Sequence, residues 1–247
     1  PSTEDSLLPP QEVVNKEIQE IIDSSGLRGS VLVFDVGQNT FTSNDFEWAQ
    51  DGKLPASTFK IPNSVIALET GIIESDSTVI KWNGEKRFSE RWEKDMTFKE
   101  AFHLSCVPCY QEIARNVGLE RMLDFMDKFD YGHMAIDSSN LDMFWLEGES
   151  RISQFEEIDF LRRFYNEELP VSERTMEIMK RMIIREETDS YTLSGKTGWA
   201  YNNGVDNVWF VGYIEKDKEI YFFATNLEPE KGFNIDLLAE TRQTITM

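Results

Sequence analysis

Strand-forming stretches lie at both ends of this chain and a long helical region separates them, which narrows the folds open to it. Gly29-Ser30-Val31-Leu32-Val33-Phe34-Asp35 and Thr40-Phe41-Thr42-Ser43 read as strands joined through Gly37-Gln38-Asn39, a turn signal. Near the other end, Tyr191-Thr192-Leu193-Ser194-Gly195, Val208–Ile214 and Ile220–Thr225 are dense in aromatic and β-branched residues. The last two flank Glu215-Lys216-Asp217-Lys218-Glu219, short enough for a hairpin.

Between about Ser57 and about Arg185 the apolar spacing is helical. Ile61, Val65 and Leu68 predict one helix closed by Gly71. Met96–Leu104, Pro108–Val117, Leu119–Phe129, Gln154–Tyr165 and Ser172–Ile184 predict further helices. Val13, Val14, Ile18, Ile21 and Ile22 form a helical stripe between Pro10 and Ser24, and Leu237, Leu238, Thr241 and Ile245 a closing one. The expectation is an α/β fold of the α+β type. A central antiparallel sheet from both chain termini is flanked by helices, with an inserted helical region. The expected division is one unit over 1–247. It comprises a loose, Pro-rich arm and a helix over 1–24, sheet regions over 25–56 and 190–247, and a mainly helical region over 57–189.

Composition removes several classes of function. The formal charge of −20 repels phosphate backbones and anionic membranes, so neither nucleic acid nor membrane insertion is expected. No apolar run approaches the roughly 20 residues that span a bilayer. The chain opens at Pro1 without a Met and is read as a mature or trimmed form whose targeting signal is out of view. Cys106 and Cys109, the only cysteines, form Cys-Val-Pro-Cys. A thiol-redox pair is one reading, but the helical context favours two small buried hydrophobes. A zinc site from these two with His103 and His133 fits no usual spacing, so no metal is expected.

The chemistry concentrates in three short motifs. Ser57-Thr58-Phe59-Lys60 is S-x-x-K at the mouth of a helix, where positions i and i+3 share a face. A serine hydroxyl needs a base beside it, and a lysine serves only when burial or nearby positive charge lowers its pKa. Ser105-Cys106-Val107 lies at a junction between two helices, and Lys196-Thr197-Gly198 follows a strand-like stretch. S-x-x-K, S-x-V and K-T-G in that order mark penicillin-recognising serine enzymes. Together with Pro55-Ala56, Ile61-Pro62-Asn63, Tyr131-Gly132 and Phe144-Trp145-Leu146-Glu147-Gly148, they resemble the class D (oxacillinase-type) serine β-lactamases. The likeness runs from about Gly29 to about Asn226.

The resemblance implies a penicillin-binding/transpeptidase-like fold and hydrolysis of β-lactam antibiotics, with antibiotic resistance as the biological setting. Ser57 would form the acyl-enzyme. Lys60, carboxylated by CO2 to N6-carboxylysine, would be the general base for acylation and deacylation, so bicarbonate is required but no other cofactor. Trp145 would donate to the carbamate, within apolar walls from Phe59, Val107 and Leu146. Ser105 would relay a proton to the departing nitrogen. Lys196, Thr197, Gly198 and Val107 would contact substrate, and the backbone N–H groups of Ser57 and Trp199 would form the oxyanion hole. A periplasmic or secreted location follows.

Two features depart from that family's pattern. His133 stands where Asn is usual after Tyr131-Gly132, and no arginine occupies the usual place after the last strand. Arg242, one turn later, or Lys231 could take over the substrate's carboxylate. Glu147 is expected to be structural rather than a competing base. The alternatives are a β-lactam-sensing receptor that is acylated without turnover, a D,D-peptidase, and a thiol-redox protein using Cys106 and Cys109. Val107, where sensors carry Asn, favours the hydrolase.

Overall fold

The computed structural model describes residues 9–247. In chain order it contains β1 (Gln11–Val14), α1 (Lys16–Ser25), β2 (Leu27–Asp35), β3 (Thr40–Ser43), α2 (Phe46–Gln50) and α3 (Lys60–Glu69), then β4 (Val79–Ile80) and β5 (Met96–Thr97). There follow α4 (Phe98–His103), α5 (Val107–Val117), α6 (Leu119–Phe129), α7 (Gln154–Tyr165), α8 (Glu173–Ile183), β6 (Ile184–Glu187), β7 (Thr192–Asn202), β8 (Val205–Lys216), β9 (Glu219–Pro229) and α9 (Leu238–Thr246). Seven of the strands form one sheet of order β1-β3-β2-β9-β8-β7-β6, so the N-terminal strands join the C-terminal ones where β2 pairs with β9. The sheet is antiparallel except for β1 and β3, which run parallel.

That parallel edge corrects one expectation. Val13 and Val14 do not continue the helical stripe but lie in β1, largely exposed. The reason is local: the Asn15 side chain accepts a hydrogen bond from Glu17 N and caps the helix, which therefore starts at Lys16. The expected loose arm falls mostly on residues 1–8, outside the described part. A capping box likewise shortens the helix expected from Met96. Thr97 Oγ1 accepts from Glu100 N and Glu100 accepts from Thr97 N, so Met96–Thr97 is strand and α4 begins at Phe98.

The strand expected to stop at Gly195 continues through Lys196-Thr197-Gly198 to Asn202. It turns back at Asn203-Gly204, both with positive φ, as a tight two-residue hairpin requires. The next hairpin pairs Lys216 with Glu219 and places Asp217 and Lys218 at positive φ. Continuity of β7 matters for the site because the turn carrying Ser57 packs against it. A Cβ on Gly198 would lie 3.2 Å from Pro55 O and 3.3 Å from Ala56 Cβ, so the glycine permits the close approach.

The main core lies between the sheet and the helical region. At its centre Phe59 is fully buried, stacked on Trp145 at 5.3 Å and edge-on to Phe144 at 4.7 Å. Those contacts hold the segment just after Ser57 against the loop that follows α6. Phe59→Ala should lower the free energy of unfolding by about 3–5 kcal/mol, measured by urea titration.

Candidate active site

The backbone around Ser57 is forced into place. A 3-10 turn, Ala56–Phe59, runs directly into α3, and Ala56 holds a left-handed conformation at φ 53°. Its N–H donates to Trp145 O at 2.7 Å, which helps fix that unfavourable geometry. Ser57 Oγ accepts a hydrogen bond from Lys60 Nζ at 2.9 Å. Lys60 is only 1% exposed and, among the described residues, has no carboxylate within ion-pair reach. Its amine instead faces the Tyr110 ring at 5.1 Å. Burial therefore brings its pKa down to about 7, so near neutral pH much of the amine is unprotonated.

A second lysine–serine pair faces the first. Ser105 sits between α4 and α5 at φ 55°, again left-handed for a residue with a Cβ. The cap of α5 is Cys106, so Ser105 is free of that duty and its Oγ accepts from Lys196 Nζ at 2.9 Å. Lys196 also donates to Thr197 O and is 2% exposed. Burial lowers its pKa strongly, and Lys60, Arg185 and Arg242 nearby add to the effect. Despite a net charge of −20, several basic side chains therefore gather around this site.

The cleft, about 580 Å³, is lined by Ser57, Ser105, Val107, Thr197, Gly198, Trp199 and Arg242. Phe88, Trp92 and Tyr201 complete apolar walls that the sequence motifs did not indicate. Trp145, whose carbonyl accepts from Ala56 N beside Ser57, is fully buried, and its Nε1 has no hydrogen-bond partner. An indole N–H can only donate, so the site offers an unused donor to an oxygen.

The two departures resolve differently. Arg242 is 7% exposed and donates from Nη1 to Gly198 O at 2.5 Å, while its Nε has no partner. Lys231 is exposed and does not line the cleft, so of the two candidates the structure brings Arg242 to the site. His133 is exposed and is held by backbone bonds to Arg151, not by its imidazole. Glu147 is exposed and likewise outside the cleft lining.

Cys106 and Cys109 are joined by a disulfide, which corrects the expectation of two free, hydrophobe-like cysteines. Three residues apart across the start of α5, their Cα atoms lie 5.4 Å from each other, within normal reach of the bond. Denatured without reductant, the protein should take up no maleimide; after reduction it should take up two, read by mass spectrometry.

Sequence reading missed Glu157, a carboxyl fully buried under the Ser57 turn. Its signal was present: it shares a face of α7 with Phe160, Leu161 and Phe164, where an acid is out of place.

Known proteins resemble this chain along most of its length. The penicillin-binding protein transpeptidase domain family matches residues 28–245. The β-lactamase OXA-10 of Pseudomonas aeruginosa is 39% identical over 228 residues, covering 90% of this chain and 83% of that one. The chain belongs to the class D β-lactamases. The solved class D β-lactamase of Sebaldella termitidis superposes with a TM-score of 0.92 at 34% identity, covering 96% of each chain. The regulatory protein BlaR1 of Bacillus licheniformis is more distant, at 28% identity over 92% of this chain and 38% of its own length. As a class D enzyme the chain is a serine hydrolase of the transpeptidase-like fold expected from its motifs.

Proposed function

We propose that this class D enzyme hydrolyses the β-lactam ring through an ester on Ser57, with Lys60 as the site of the general base. The observation that carries this reading is the buried, counter-ion-free Lys60 amine at 2.9 Å from Ser57 Oγ. As Ser57 Oγ attacks the lactam carbonyl carbon, its proton passes to the base at Lys60. The developing oxyanion lies toward the backbone N–H groups of Ser57 and Trp199. When the C–N bond breaks, the proton taken up at Lys60 is relayed through the Ser105 hydroxyl to the departing nitrogen, which restores both Ser105 and the base, while Lys196 holds that hydroxyl in place. Water activated by the same base then cleaves the ester, which separates a hydrolase from a sensor that stays acylated.

The unpartnered Trp145 Nε1 fits carboxylation of Lys60, because a carbamate needs a neutral amine to form and a donor to hold its oxygen. Such a group would supply an anionic base at this position. Thr197 and Arg242 are the residues for the substrate's carboxylate, and Phe88, Trp92, Val107 and Tyr201 receive its apolar side chain. The disulfide suits an oxidising compartment, periplasmic or extracellular. Among the described residues no helix is long and apolar enough to cross a membrane.

Steady-state turnover of a chromogenic cephalosporin tests the proposal. Turnover should rise when bicarbonate is added to CO2-stripped buffer and fall as pH drops through about 7, where the Lys60 amine takes up its proton. A single stoichiometric burst with no turnover would instead make the protein a sensor. Lys60→Ala should lower kcat/KM by about 10²–10⁴-fold. Arg242→Met should raise KM by about ten- to a hundredfold with kcat near wild type, the loss of a charge-assisted bond worth about 1.5–3 kcal/mol.

A further inference from the structure

The turn that presents Ser57 rests on a buried cluster of three hydroxyl-bearing or acidic side chains. Thr58 Oγ1 lies 2.7 Å from Pro55 O and 2.6 Å from Glu157 Oε1. Tyr131 Oη lies 2.9 Å from the same Glu157 oxygen. If Glu157 were ionised, only the Thr58 and Tyr131 protons would be available for these three close contacts. Pro55 O can only accept. Thr58, with one proton, cannot satisfy both the carbonyl and a carboxylate, so one O···O approach would be repulsive. A carboxylic acid supplies the missing proton: Thr58 donates to Pro55 O, the acid donates to Thr58, and Tyr131 donates to the acid.

The surroundings agree with this count. Glu157 Oε2 is buried with no partner, a modest cost for a neutral acid and a large one for an anion. Among the described residues no cation pairs with Glu157. The titratable groups that act on it are Tyr131, from the loop after α6, and Glu156 on its own helix. Burial pushes its pKa up to about 7, against the Thr58 and Tyr131 hydrogen bonds that favour the anion.

We propose that Glu157 is a positioning residue held as a neutral carboxylic acid, which through Thr58 and Pro55 O locks the strained turn that aims Ser57 at the carbonyl. This rests on Ser57 being the nucleophile, as proposed above. Glu157 touches no substrate; it acts through the residue next to the nucleophile. Ionisation would break the Thr58–Pro55 closure and loosen that turn.

The test combines two readouts. The rate of acylation by benzylpenicillin, followed by mass spectrometry, should stay close to wild type in Glu157→Gln, whose neutral amide can still donate to Thr58. In Glu157→Leu it should fall about tenfold or more while the melting temperature holds or rises, since misplacement rather than instability is the cause. Equal acylation in wild type and Glu157→Leu would overturn the proposal. Infrared difference spectra of the unreacted protein provide the second readout and need no turnover. At pH 6 wild type should show the carbonyl stretch of a protonated acid, absent in Glu157→Gln and shifted in Thr58→Val. No such band, or one indifferent to Thr58→Val, would also overturn it. Should wild type fail to acylate at all, the function reading fails while the infrared result still decides the state of Glu157. Should Glu157→Leu fail to fold, the spectra alone decide.

Discussion

A lysine amine almost wholly removed from water, with no carboxylate beside it, is costly to keep charged, and the rest of the site follows from that cost. The fold stabilises Lys60 by letting it lose its proton, which leaves an amine that can accept one from Ser57 at 2.9 Å. The Tyr110 ring lies 5.1 Å from the amine, and next to Lys60 in the chain Phe59 packs fully buried against Phe144 and Trp145. Within that aromatic packing the Trp145 N–H has no hydrogen-bond partner. Dryness and basicity at Lys60 are thus two results of the same burial.

Backbone strain is concentrated beside the two serines of the candidate site. Ala56 and Ser105, two residues with a Cβ at positive φ, precede Ser57 and carry the second hydroxyl of the site. Each is held by its surroundings: Ala56 by the Trp145 carbonyl and by the close packing of β7 that Gly198 allows, Ser105 by Lys196 and by the disulfide-bridged start of α5. The sheet matters chiefly as the rigid edge against which both turns are set. Its strand β7 delivers Lys196, Thr197 and Gly198 as a continuous run rather than as a loop.

Much of this was legible in the sequence because the relevant signals are local. Apolar spacing placed α7 at its observed bounds, and residues of the S-x-x-K, S-x-V and K-T-G motifs line one cleft. Misreadings arose where a short-range cap or turn overrode periodicity. Asn15 and Thr97 cut two expected helices short, and the Asn203-Gly204 turn, readable as a hairpin signal, shows that β7 runs past Gly195. Side chains acting across the fold were harder to find. Glu157 reaches Thr58 across 99 positions and Arg242 reaches Gly198 across 44, and no window along the chain joins either pair. The cysteines were visible, but whether they bond depends on the geometry at the start of α5 rather than on their spacing.

The protonation state of Lys60 is the point on which the account turns. It is measured directly by a pH titration of protein carrying lysine labelled with 13C at Cε, in CO2-free buffer, with Lys60 assigned by its absence in Lys60→Ala. This resonance should titrate near pH 7. A midpoint in the ordinary lysine range, at about 10.4, would contradict it.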